Sequence, residues 1–147
     1  MDAIAAAVND TVHHPTVISI AWGSPEHFGF MDPSLELRTN GLLRTAAARG
    51  ITILAASGDH GARDAETENR LEVDFPASSP WVLSVGGTSI VSRQNNTSAE
   101  SVWNDPTVGG SGGGVSGLFD RPDYQTNFVV PRSLTARPGR GVPDVAP

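Results

Sequence analysis

Residues 51–61, ITILAASGDHG, hold the side chains best placed for chemistry: a hydroxyl, a carboxyl and an imidazole, Ser57, Asp59 and His60, gathered around Gly58. A hydrolytic triad is the first chemistry that these types suggest. Residues so close in sequence do not converge as nucleophile, base and orienting group, because a triad is a geometry assembled from distant segments. Asp59 alone then has two readings. It is either a site carboxyl just past the end of a strand, or a turn former between glycines.

Other polar groups offer less. His13, His14, His27 and His60 lack a second donor at metal-ligand spacing, so surface or turn roles are expected and no metal site is assigned. Residues 62–74 form a polar connection carrying Asp64, Glu66, Glu68, Glu72 and Asp74, without the spacing of an EF-hand, and read as a solvated loop. Gly109, Ser111 and Gly113 match the letters of a nucleophile elbow, and Gly112, Gly114 and Gly117 match GxGxxG. Both motifs need a strand before and a helix after, whereas this stretch follows Asn104-Asp105-Pro106 and precedes no amphipathic helix. A glycine-rich strand still serves a site in another way, by letting a backbone approach closely.

The elements that must position Asp59 come next. Asp2 caps a helix whose apolar positions Ile4, Val8 and Val12 recur every four residues, ending before His13-His14-Pro15. Residues 16–22, TVISIAW, are β-branched and read as a buried strand stopped by Gly23-Ser24-Pro25. Asp32-Pro33 is a helix start, Leu35, Leu42, Leu43 and Ala46 share a face, and Arg49-Gly50 is the stop. Residues 51–57 then give a second strand, apolar without alternation, which predicts burial on both faces. Such a strand, helix, strand crossover is right-handed and parallel. The ends of both strands, at Trp22-Gly23 and Ser57-Gly58-Asp59, therefore share one sheet edge, where α/β proteins place their sites.

Beyond Pro76 and Pro80, residues 81–85 predict a further buried strand. Gly86-Gly87 turns the chain into residues 88–92, with a hairpin tip at 93–98. The last thirty residues, rich in Pro and Arg without periodicity, read as a connection to further structure.

At 147 residues the chain can hold one domain with a core. The absence of cysteine removes disulfides and thiolate metal sites. A net charge of -6 argues against a nucleic-acid partner, which needs a basic face, and no function is drawn from the fact that all ten basic residues are arginine. No stretch approaches the roughly 18 apolar residues of a membrane span, so no membrane partner is expected, and no charged-then-apolar leader opens the sequence.

Six stretches together resemble the sedolisins, or serine-carboxyl peptidases. They are SIAWG at 19–23, AASGDHG at 55–61, VDFPASSPWVLSVGGT at 73–88, VWND at 102–105, GGSGGGVS at 109–116 and GRGVPDVAP at 139–147. More distantly the pattern is similar to subtilisin, which implies an α/β, subtilisin-like parallel sheet with flanking helices, incomplete in this stretch. The resemblance implies that Asp59 is the oxyanion-hole acid. A carboxyl donates a hydrogen bond only while protonated, and burial against apolar neighbours would favour that form. The resemblance also implies that Ser19, Ala21, Trp22 and Gly23 lie on the segment that pairs with substrate backbone, and that Asp74 floors the pocket for the residue before the scissile bond.

The same resemblance places the serine nucleophile, in an SGTSxxxP motif, downstream of this stretch, and the catalytic Glu and Asp on a helix upstream. Gly87-Thr88-Ser89 imitates the serine motif but has Arg93 where proline belongs, so Ser89 reads as a decoy. The family's calcium site falls beyond the C-terminus, leaving no cofactor expected here. The chain thus reads as residues 1–147 of a partial peptidase domain, roughly its middle two fifths. Its partners would be a peptide or protein substrate and the remainder of the domain, in a parent enzyme that works outside the cell. Two alternatives stay open: a catalytically dead peptide-binding module, and a gene fragment without independent function.

Overall fold

The computed structural model describes residues 2–26, 32–63, 70–92, 98–131 and 137–147. His27, Asp64, Glu66, Glu68, Arg93 and most of the expected hairpin tip lie outside the described residues. In chain order the elements are α1 (Asp2–Val8), β1 (Val17–Ile20), β2 (Ser24–Pro25), α2 (Pro33–Ala48), β3 (Thr52–Ala56), β4 (Asp74–Phe75), β5 (Leu83–Val85), β6 (Thr88–Ser92), β7 (Ser98–Val102), β8 (Asn104–Asp105), β9 (Gly109–Gly110), β10 (Gly114–Asp120) and β11 (Gly139–Val142).

The central sheet runs β1-β3-β5, all parallel, with Ile18 opposite Ile53, Ile20 opposite Ala55, and Ala55 opposite Ser84. The crossover between β1 and β3 is α2, and its ends follow the sequence signals. Asp32 accepts the Ser34 amide proton at 2.8 Å, a bond that holds its carboxyl below the ordinary value. Gly50, at φ 76, closes the helix in a conformation that a side chain would disfavour.

Burial corrects two expectations. Along α2 the buried positions are Glu36, Thr39, Leu43 and Ala46, whereas Leu35 and Leu42 sit at the margin. Along β3, Ile53 and Ala55 are buried and Thr52 is exposed, so the strand is covered on one face and not on both. The covered face meets α2, against which α1 also packs. The opposite face carries Val17 and Leu83, 57% and 37% exposed, with Ser19 and Leu54 between them in register. α1 also stops earlier than expected. Asp10 accepts the amide protons of Val12 and His13 at 2.8 and 2.9 Å, a local turn that competes with the helix, and leaves Val12 outside it.

The second half is a set of short antiparallel pairs. β6 and β7 form the expected hairpin, and its ends are tied by the Trp103 amide donating to the Gly87 carbonyl at 3.1 Å. β2 pairs with β4, β8 with β9, and β10 with β11. The C-terminal residues pack into the fold. Every residue of β11 is buried, and the Val145 carbonyl takes the Gly86 amide proton at 2.8 Å. Arg140, fully buried, makes this possible by donating to the Ser79 and Val82 carbonyls and to the Asp144 carboxylate. A charge so placed satisfies its donors within the fold, which apolar periodicity does not report.

Candidate functional site

Asp59 stands at the carboxyl end of β3. The strand's last ladder bond is the Ser57 amide to the Val85 carbonyl at 2.9 Å, and Gly58 then turns the chain at φ 107, open to glycine and strained for other residues. The glycine-rich stretch lies directly against this turn. Gly110 donates to the Asp59 carbonyl at 2.7 Å, and Gly112 donates to the Gly58 carbonyl at 2.8 Å. A Cβ on Gly112 would stand 1.9 Å from the Ser57 carbonyl oxygen, and one on Gly109 would stand 2.4 Å from that of Asp59. Close backbone approach is what the glycines supply, and the approaching backbone is the chain's own.

Two adjoining hollows open at this sheet edge. The larger, about 320 Å³, is lined by Ser19, Ala21, Ser57, Asp59 and Trp103 among others. The smaller, about 260 Å³, is lined by Ala21, Trp22, Gly23, Asp59, His60 and Asp74 among others. Ala21 and Asp59 belong to both. All six site residues expected from the sequence are therefore gathered around the two hollows.

The walls of the smaller hollow have a simple cause. β2 and β4 pair antiparallel with Pro25 opposite Asp74, which brings the Trp22-Gly23 turn over the Asp74 carboxyl. Gly23 has room for no side chain there, since a Cβ would fall 2.7 Å from Asp74 Oδ2. Asp74 itself is 7% exposed, whereas Trp22 is half-exposed. Asp59 departs from expectation in one respect: its side chain is exposed, so the apolar burial anticipated for it is not provided by the described residues.

The described residues around the two hollows offer binding groups and charge. Neither Ser19 nor Ser57, the serines lining the larger hollow, is hydrogen-bonded through its hydroxyl to a carboxylate or imidazole among the described residues. An activated serine needs such a base. Ser111 spends its hydroxyl on structure, accepting the Gly87 amide proton at 3.0 Å. Ser89 lies in β6 opposite Ser101 and lines neither hollow. Among the described residues no three His, Asp or Glu side chains gather as metal ligands.

The profile of the subtilase family matches residues 1–128. The chain belongs to that family. Within it, the likeness is to sedolisins. Kumamolisin of Bacillus sp. (strain MN-32) is 46% identical over 149 residues, a match covering 99% of this chain and 27% of kumamolisin. Human tripeptidyl-peptidase 1 is 36% identical, over 90% of this chain and 24% of its own length. The solved structure of Pseudomonas sedolisin, a serine-carboxyl proteinase complexed with two molecules of pseudo-iodotyrostatin, superposes with a TM-score of 0.79 at 29% identity. That match covers 98% of this chain and 40% of the sedolisin chain. The fold is accordingly subtilisin-like α/β, of the sedolisin kind, and the family is one of serine-type peptidases. The chain spans about a quarter of the length of the curated relatives it matches.

Sequence reasoning missed three residues here. Trp103 lines the larger hollow and packs 3.5 Å from where Cβ atoms of Gly87 and Gly109 would lie. Glu26 and Glu36, only 5% and 3% exposed, were invisible to apolar counting. The spacing of Glu36 before Leu43, seven residues on one helix face, was the available signal.

Proposed function

We propose that this chain carries the oxyanion-stabilising and substrate-recognising part of a serine-type acid endopeptidase, and that the nucleophile and its base come from other parts of the peptidase domain. The observation that carries the reading is the position of Asp59 on the shared wall of the two hollows, at the end of β3. An oxyanion donor must stand where the reacting carbonyl lies between the subsites on either side. In this reading Ser19, Ala21, Trp22 and Gly23 receive the substrate backbone, and Asp74 receives the side chain before the scissile bond. The reaction is acyl transfer: a serine attacks the peptide carbonyl, a carboxylate takes its proton, and protonated Asp59 donates to the tetrahedral oxyanion. The substrate is a peptide or protein, and no cofactor is assigned to this stretch.

The test is a chimaera in which these residues replace the matching stretch of kumamolisin, compared with the 147-residue chain by itself. The reading expects hydrolysis of a denatured protein substrate by the chimaera in acid and none by the chain alone. A well-folded chimaera without hydrolysis would favour a peptide-binding role, and hydrolysis by the chain alone would overturn the division of labour.

A further inference from the structure

Asp59 sits in a turn that has little stiffness of its own. Gly58 and Gly61 flank it at φ 107 and φ 67, in the region that glycine enters without strain. What fixes the turn is the glycine-rich stretch beside it. Gly110 donates to the Asp59 carbonyl at 2.7 Å, Gly61 to the Gly110 carbonyl at 3.0 Å, and Gly112 to the Gly58 carbonyl at 2.8 Å. These backbone bonds set the place of Asp59.

The stretch that makes them is itself nearly bare. Residues 109–114 read GGSGGG, so Ser111 is the one side chain with which it can brace itself. A further brace comes from Trp103. Its amide donates to the Gly87 carbonyl at 3.1 Å, and its carbonyl accepts the Ser111 amide proton at 2.9 Å. The Ser111 hydroxyl accepts the Gly87 amide proton at 3.0 Å, which closes a cycle of bonds through Gly87, Trp103 and Ser111. The indole packs within that cycle. A Cβ on Gly87 would lie 3.5 Å from Trp103 Cε3, and a Cβ on Gly109 would lie 3.5 Å from both Cζ2 and Cη2. Gly109 is the decisive contact, because the same Cβ would stand 2.4 Å from the Asp59 carbonyl oxygen. The indole and the Asp59 carbonyl therefore meet at one bare flank of Gly109, next to the Gly110 amide that bonds this carbonyl. Trp103 stands apart from the hydrophobic core, so filling the core does not account for it.

We propose that Trp103 is a positioning residue for Asp59: its ring backs Gly109, and through the Gly109-Gly110 backbone it holds the Asp59 turn at the wall shared by the two hollows. The effect expected on turnover rests on the peptidase reading, whereas the effect expected on the turn rests on packing alone. Shortening the side chain leaves a cavity behind Gly109, into which a strand of glycines relaxes readily. Its bonds to Asp59 and Gly58 then loosen, and a group misplaced by about 1 Å in a reacting site costs up to about a hundredfold in rate.

The structural arm of the test is amide hydrogen exchange on the 147-residue chain. The parent is compared with Trp103→Ala and with Trp103→Phe, whose single ring is too short to lie against Gly87 and Gly109 together. Exchange at Gly61, Gly110 and Gly112 should quicken about tenfold or more in both variants, while the amides of α2 keep their parental rates. Unchanged exchange at these glycines overturns the proposal. So does an equal quickening throughout, which would make Trp103 a general stabiliser. The functional arm uses the kumamolisin chimaera. There Trp103→Ala should lower kcat about tenfold or more and leave KM within about twofold. On an Asp59→Ala background the same change should lower kcat by less than about twofold, since the group that it positions is gone. Equal losses on the two backgrounds overturn the proposal. A chimaera without hydrolysis counts against the peptidase reading and leaves the exchange rates to decide the role of Trp103.

Discussion

The guanidinium of Arg140 grips the carboxylate of Asp144 through two bonds, Nη1 to Oδ1 at 2.9 Å and Nη2 to Oδ2 at 2.5 Å. The arginine is fully buried, the aspartate nearly so. Asp144 also accepts the Ser84 amide proton at 2.7 Å, and Gln125 donates to it at 3.0 Å. This pair thus fastens β11 to β5, the outer strand of the central sheet.

Arg140→Ala should destabilise the chain by about 3 to 5 kcal/mol, because it strands a largely buried carboxylate whose other partners are neutral. Urea denaturation of parent and variant measures this. A loss below about 1 kcal/mol would mean that water reaches Asp144 and replaces the arginine.

For Asp59 the informative comparison is among three side chains in the kumamolisin chimaera. Asp59→Ala should lower turnover about a hundredfold or more, the usual cost of an oxyanion donor. Asp59→Asn should flatten the decline of turnover toward neutral pH, since an amide donates at every pH and a carboxyl only when protonated. Near-parental turnover of the alanine variant would leave Asp59 as a turn former.

On the proposed reading, in which Asp74 receives the side chain before the scissile bond, the smaller hollow should prefer a cation. In the same chimaera, kcat/KM for substrates with Arg or Lys before the scissile bond should exceed that for an apolar residue there. Asp74→Asn should remove most of that advantage, by about tenfold, and leave apolar substrates nearly unchanged. An unaltered ratio would place the specificity elsewhere.

Two glycine substitutions should act in opposite directions. Gly112→Ala forces a methyl onto the Ser57 carbonyl and should cost at least about 3 kcal/mol. Gly41→Ala, inside α2 with nothing within 4 Å of the added carbon, should stabilise by about 0.5 to 1 kcal/mol. Thermal melts of the two variants decide both signs.

The central strand, helix, strand unit was legible because each part has a local cause. The β-branched run at β1 marks a strand, and Asp32 and Gly50 mark the ends of α2. The shared sheet edge follows from crossover handedness, and Asp59 with it. What escaped was governed by partners distant in sequence. Glu26 depends on Ser116 and Gly117, some ninety residues away, and β11 is buried because Arg140 finds acceptors on the segment before β5. The open face of β1, β3 and β5 was also misjudged. Apolar runs report what a strand can bury, not what stands ready to cover it.

The bond between the Trp103 amide and the Gly87 carbonyl makes β6 and β7 an excursion whose two ends already touch. A protein engineer could excise the hairpin and close the gap with an Asn-Gly turn, giving up chiefly the hold of Thr88 on the Pro147 carbonyl. The hollows around Asp59 are lined from outside the hairpin and would keep their walls. The same junction is a natural port for inserting a reporter or a second binding module beside the cleft.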